Sequence, residues 1–113
     1  MNDLELVQEN FQEKIGNLLL SVQTTKTVDS QAFQEVDNKA KLLARLLKDR
    51  KLISKSLLNE LHTAAKILRA EAPYMKEHSA ALVKLAEQLE LTFDLILRGE
   101  CHGDRVPGVP RVI

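Results

Sequence analysis

The sequence predicts an all-α fold: an antiparallel bundle of four helices over residues 1–99, with an extended tail containing proline and glycine over residues 100–113. Three observations carry this. Apolar residues recur at steps of three and four along four separate stretches, which places each set on one face of a helix. Capping and helix-stopping residues separate those stretches. The last segment, ECHGDRVPGVPRVI, holds two prolines and two glycines, which exclude a helix there and disfavour a central strand. At 113 residues the chain is one domain by length, with a single modest core shared among the helices. There is no tryptophan, so leucine must build that core.

The first helix opens at Asn2 or Asp3, whose side-chain oxygens can accept from the orphan amides of a first turn. Leu4, Val7, Phe11, Ile15, Leu18 and Val22 then form a stripe of about six turns. Gly16 interrupts it, either as a tolerated weak point or as a place where another helix comes close. The β-branched, polar run Thr24–Val28 suits a loop, and Asp29 or Ser30 caps the second helix. Phe33, Val36, Ala40, Leu43 and Leu47 form its apolar face, widened by Leu42 and Leu46.

The central stretch Ala40–Arg69 organises the rest. Its turn, Lys48-Asp49-Arg50-Lys51, is so short that the second and third helices are expected to pack on each other as an antiparallel hairpin. Ser54 caps the third helix, with Ile53 and Leu58 at the spacing of a hydrophobic staple. Leu57, Leu61, Ala64 and Leu68 line it, and Pro73 stops it near Glu71. Tyr74, Met75 and Lys76 form a connector, and the fourth helix starts at His78 or Ser79. Leu82, Leu85, Ala86, Leu89, Phe93 and Ile96 carry its stripe, with Leu91, Leu95 and Leu97 partly off it, facing the tail or another chain. Gly99 suits the left-handed residue that ends a helix. The tail, with Val106, Val109, Val112 and Ile113, reads as a polyproline-like strap across the bundle or a partner.

Charge and motifs narrow the function. The formal net charge is zero, unlike the basic excess of a general nucleic-acid binder. No apolar run spans a bilayer, and the acidic start MNDLELVQEN lacks the features of a signal peptide, so a cytoplasmic protein is expected. A single cysteine, Cys101, cannot close an intramolecular disulfide. Glu5, Glu9 and Glu13 on the first helix and Lys41, Arg45 and Lys48 on the second form rows of opposite sign, which set register more than stability. Lys48, Arg50, Lys51 and Lys55 cluster at the turn. With no aromatic residue interleaved, they read as solvated surface rather than a phosphate site.

No catalytic chemistry emerges. Cys101 and His102 are adjacent, so in an extended segment they point to opposite sides and make neither a nucleophile–base pair nor a chelate; His62 and His78 are the other histidines. Glycine-rich phosphate loops, paired catalytic carboxylates and a helix-borne HExxH are missing from the sequence. Arg69 and His78 lie too far apart for the short arginine–histidine spacing of helical HEPN ribonucleases. No enzyme, metal or cofactor is expected. An interaction protein remains, with two candidate surfaces. One is the connector, with Glu71, Tyr74, Met75, Glu77 and His78. The other is the tail, with Arg105, Val106, Pro107, Val109 and Arg111. Tyrosine, methionine and arginine are favoured at interface cores.

The stretch LLARLLKDRKLISKSLLNELHTAAKILR, followed by a break and a further amphipathic helix, resembles the small all-helical immunity proteins that protect bacteria from their own type VI secretion effectors. It is most similar to the subfamily that neutralises NAD(P)-hydrolysing effectors. The likeness covers about Val36 to Glu90 and centres on Leu46–Leu52; the proline-containing tail lies outside it. The resemblance implies a protein that docks on a cognate toxin and excludes its substrate. The competing expectation is a homo-oligomeric structural or regulatory protein that pairs through Leu91, Leu95 and Leu97.

Overall fold

A computed structural model of the chain describes residues 3–102. Helix α1 spans Asp3–Leu20, α2 Ser30–Leu46, α3 Lys55–Glu71 and α4 Ser79–Leu97. The caps explain the starts. Asp29 accepts from the amides of Gln31 and Ala32, and Ser54 from that of Leu57. Gly99 closes α4 with φ +71°, the conformation only glycine adopts without strain.

The first loop begins later than the sequence suggests. A π-helical turn over Ser21–Thr25 continues α1. The hydroxyl of Thr24 donates to the Leu20 carbonyl at 2.5 Å, and that of Thr25 to the Ser21 carbonyl at 2.8 Å. Such back-bonding satisfies the last carbonyls and lets the turn widen. Lys26, at φ 54°, ends it.

Each stripe faces inward as its spacing predicts. Phe11, Ile15, Leu18 and Val22 of the first stretch are buried, as are Leu43, Leu57, Leu61, Leu68, Leu82 and Leu89. A fully buried side chain of this size contributes about 1.5–3 kcal/mol. Leu95 is also fully buried. It is spent on the chain's own fold and is not available to the homodimer seam expected of Leu91, Leu95 and Leu97.

The expected α2–α3 hairpin is not the packing unit. α2 packs on α1 and α4, and α3 packs on α4 and, less extensively, on α1; α2 and α3 stand on a diagonal and share almost no contact. Late α1 meets early α2, where Lys14 pairs with Glu35 at 3.0 Å, so these two are antiparallel. Arg69 of α3 grips Glu90 of α4 with two bonds of 3.0 and 2.6 Å, while His62, earlier in α3, faces Phe93, later in α4. That order makes α3 and α4 antiparallel as well.

The two hairpins then stack with like directions adjacent. Gln8 bonds to Ser54 at 3.4 Å, Gln12 to Glu60, and Lys26 to Glu71, so α1 and α3 ascend together. The start of α2 faces the start of α4, and the Asp49 amide just beyond α2 donates to the Gly99 carbonyl just beyond α4 at 3.1 Å. The link between α2 and α3 runs from Leu47 to Ser54, because Leu52 and Ile53 precede the cap, and it crosses the diagonal. Of the charged rows, Lys41 pairs with Asp37 on its own helix, and a further pair, Lys14–Glu35, joins α1 to α2 with the cation on α1. Nothing lies within 4 Å of where a Cβ on Gly16 would be, so no helix approaches there.

Candidate protein-interaction site

This topology gathers two loops at one end of the bundle: the π turn with Lys26 and Thr27, and the connector from Glu71 to His78. After Glu71 a short 3₁₀ turn, Ala72–Tyr74, carries Pro73 in its first positions. Proline has no amide to leave unsatisfied there and a φ already set for the turn. The Met75 amide then donates to the Ala72 carbonyl at 3.2 Å and the His78 amide to the Met75 carbonyl at 2.8 Å. The Leu82 amide donates to the His78 carbonyl at 3.1 Å, which starts α4, and the imidazole of His78 makes no cap bond.

Side chains divide sharply along this path. Ala72 and Met75 enter the core, Met75 with only 6% of its surface exposed. Tyr74, between Pro73 and Met75, is 79% exposed. Lys76, Glu77 and His78 are exposed beside it. Met75, expected as a partner contact, is therefore a structural plug. An unbranched thioether asks for no hydrogen bond and fills an irregular gap between helix ends. Glu71 is half-buried, and its carboxylate is held by Lys26 at 2.5 Å, tying the two loops together. Tyr74, Glu77 and His78 remain as the outward face. Arg105, Val106 and Arg111, together with Pro107 and Val109, lie outside the described residues, as does the strap they belong to.

Lys26 was not foreseen at this site. The sequence pattern places it in a plain loop, and its partner is 45 residues away, so no local pattern signals the pairing. The Thr92–His102 contact was missed as well. Thr92 is a fully buried polar residue, and its hydroxyl lies 3.1 Å from His102 Nε2. His102 is held below the ordinary imidazole range by burial first, then by Lys41, with Asp37 opposing. This contact folds residues 100–102 back along α4, following the bond of the Glu100 amide to the Leu95 carbonyl at 2.8 Å.

Elsewhere, charged groups are structural. Hydrogen bonds from Arg69 lower the pKa of the Glu90 carboxyl, and a hydrogen bond from Lys14 lowers that of Glu35. Burial pushes the Glu60 carboxyl up, against hydrogen bonds from Ser56 and Gln12. Among the described residues, no three His, Cys, Asp or Glu side chains converge as a metal site would require, and no helix is long and apolar enough to cross a membrane. Compared with known protein families, curated proteins and solved structures, the chain shows no significant match to any of them.

Proposed function

We propose that this chain is an immunity protein that binds a cognate secreted bacterial toxin and blocks it sterically. The observation that carries the reading is Tyr74, a large aromatic side chain displayed on a backbone turn that is anchored by the buried Met75 beside it. Such a side chain loses little freedom on binding, and its anchored backbone loses almost none. Tyrosine is among the residues that dominate protein interfaces. Glu77 and His78 flank it with polar groups that suit an interface rim.

The likeness of Val36–Glu90 to immunity proteins of type VI secretion effectors supports the same reading, and points to an NAD(P)-hydrolysing toxin as the target. The protein would act in the cytoplasm, by occupancy rather than by chemistry. Protection of this kind rests on slow dissociation and on an interface of roughly 1,200–2,000 Å². The test is survival of cells that express the toxin together with the chain. Substituting Tyr74 and Arg105 by alanine is expected to lose protection while leaving the thermal transition in place. Full protection by both variants would remove the Tyr74 end from the interface.

A further inference from the structure

α2 and α4 run parallel from the Tyr74 end, and between their first turns lies an open groove of about 440 Å³. Val28, Phe33, Ala81 and Leu85 give it an apolar floor, and the side-chain amides of Gln34, Asn38 and Gln88 lie along it. Its charged groups are Asp37, Lys41 and Lys84. Along α4, Ala81, Leu85, Gln88 and Thr92 follow at steps of three and four, so they share one face. The last described residue, His102, meets Thr92, and Asp37 and Lys41 both act on its charge. It therefore stands one turn above Gln88, at the upper mouth of the groove. The path is already set down α4. The Glu100 amide reaches the Leu95 carbonyl, Cys101 packs against the core, and His102 reaches Thr92.

Residues 103–113 follow, and from Arg105 they read RVP, GVP, RVI, three triplets with valine at the centre of each. A polyproline II helix has three residues per turn, so this repeat would sort its side chains onto three edges. Val106, Val109 and Val112 share one edge, Pro107, Pro110 and Ile113 a second, and Arg105, Gly108 and Arg111 the third. We propose that residues 103–113 dock in cis in the α2–α4 groove as a polyproline II strap running antiparallel to α4, with the valine and proline edges on its floor. The reach agrees. Thr92 to Ala81 is about 16 Å of helix, and the strap covers about 3.1 Å per residue, so Val106 comes level with Leu85 and Val109 with the helix starts, where Val28 and Ala81 lie. A polyproline II segment makes no internal hydrogen bonds, and the amides of Gln34, Asn38 and Gln88 offer its backbone partners. Two lysines against one aspartate in the groove repel Arg105 and Arg111, which leaves the arginine edge in water. This docking requires no toxin. It also carries Arg111 toward the connector, so the tail and the Tyr74 end become one surface.

The test is methyl nuclear Overhauser spectroscopy on the full chain, isotope-labelled. Contacts are expected from the methyls of Val106 and Val109 to the Phe33 ring and the Leu85 methyls. Val106→Asp combined with Val109→Asp is expected to abolish them and to shift the amides of residues 28–41 and 81–88, with those of α1 and α3 left in place. Arg105→Ala and Arg111→Ala are expected to keep the contacts, because that edge faces water. A mixture of labelled and unlabelled chains separates docking in cis from exchange with a second copy. Three results would overturn the inference: groove amides that do not move in the double valine variant; valine contacts to residues outside the groove; or contacts found only between labelled and unlabelled chains. Tyr74→Ala, which tests the toxin reading, is expected to leave every one of these contacts in place.

Discussion

The two ends of the bundle solve the same problem differently. At the Tyr74 end, the link joins antiparallel neighbours and is closed by consecutive backbone bonds and pinned by Met75 and the Lys26–Glu71 pair. At the Leu52 end, the link crosses a diagonal. It is held to α4 by the bond of the Asp49 amide to Gly99, with Asp49 itself at φ 62°. One end sets the exposed Tyr74 beside a buried methionine, and the other leaves Leu52 exposed next to Arg50 and Lys51. The two links, residues 72–78 and 47–54, are similar in length, so what differs is how each is anchored: by a buried methionine and an ion pair at one end, by a backbone bond to α4 at the other.

The largest expected effect separates the ends directly. Met75→Ala should destabilise the fold by about 2–3 kcal/mol, as truncation of a buried methionine leaves a cavity. Leu52→Ala should change stability by less than about 0.5 kcal/mol, because the side chain is in water already. Denaturant unfolding measures both. Equal costs would erase the distinction.

Next in size is the junction at the Leu52 end. Gly99→Ala forces a Cβ into the left-handed region and should cost about 1–2 kcal/mol. Crowding is not the cause, since the nearest atom to such a Cβ, the Asp49 Cα, is at 3.5 Å. A loss of that size with no change in the amide signals of residues 72–78 would show that the ends are energetically separate. Gly16→Ala, in open space on an exposed face, should instead stabilise the chain by about 1 kcal/mol.

The smallest effect is a pH dependence. His102 is shifted down in the fold, so on acidification the unfolded chain takes up the proton first. Its neutral form contributes in full above the ordinary imidazole value of about 6.5 and loses that contribution as pH falls from there toward the lowered folded value. Urea midpoints between pH 7 and 5 should therefore decline, and His102→Gln should flatten the decline. Glu60 works in the other sense. Its raised carboxyl makes the folded state the better proton binder, so stability rises as the pH falls through the carboxylate range. An unchanged slope in the His102 variant would assign the decline to other groups.

The sequence made the helices legible because each stripe is spaced for one face and each start has a side chain that caps it. Asp29, Ser54, Pro73 and Gly99 act where their chemistry predicts. The neighbours of each helix were not legible. An amphipathic face states which side is buried and not what buries it, so α2 and α3 were paired when they stand diagonally. Met75 was misplaced for a related reason: it sits in a loop, where a small rotation of the backbone decides between core and water. Leu95, at a stripe edge, is buried and so not open to a second chain. Tyr74 and its exposed neighbours were readable as a connector after Pro73. The Lys26–Glu71 tie was not, since it joins residues far apart in sequence.

The central claim is that the Tyr74 end grips a toxin. Affinity capture from the native host, washed in high salt and read by mass spectrometry, tests it when the natural chain is run beside Tyr74→Ala and Leu52→Asp. One stoichiometric partner carrying a secreted toxin domain, lost with Tyr74→Ala and kept with Leu52→Asp, is the predicted result. Recovery of the chain only with itself, or of the same partner undiminished with Tyr74→Ala, would contradict the account.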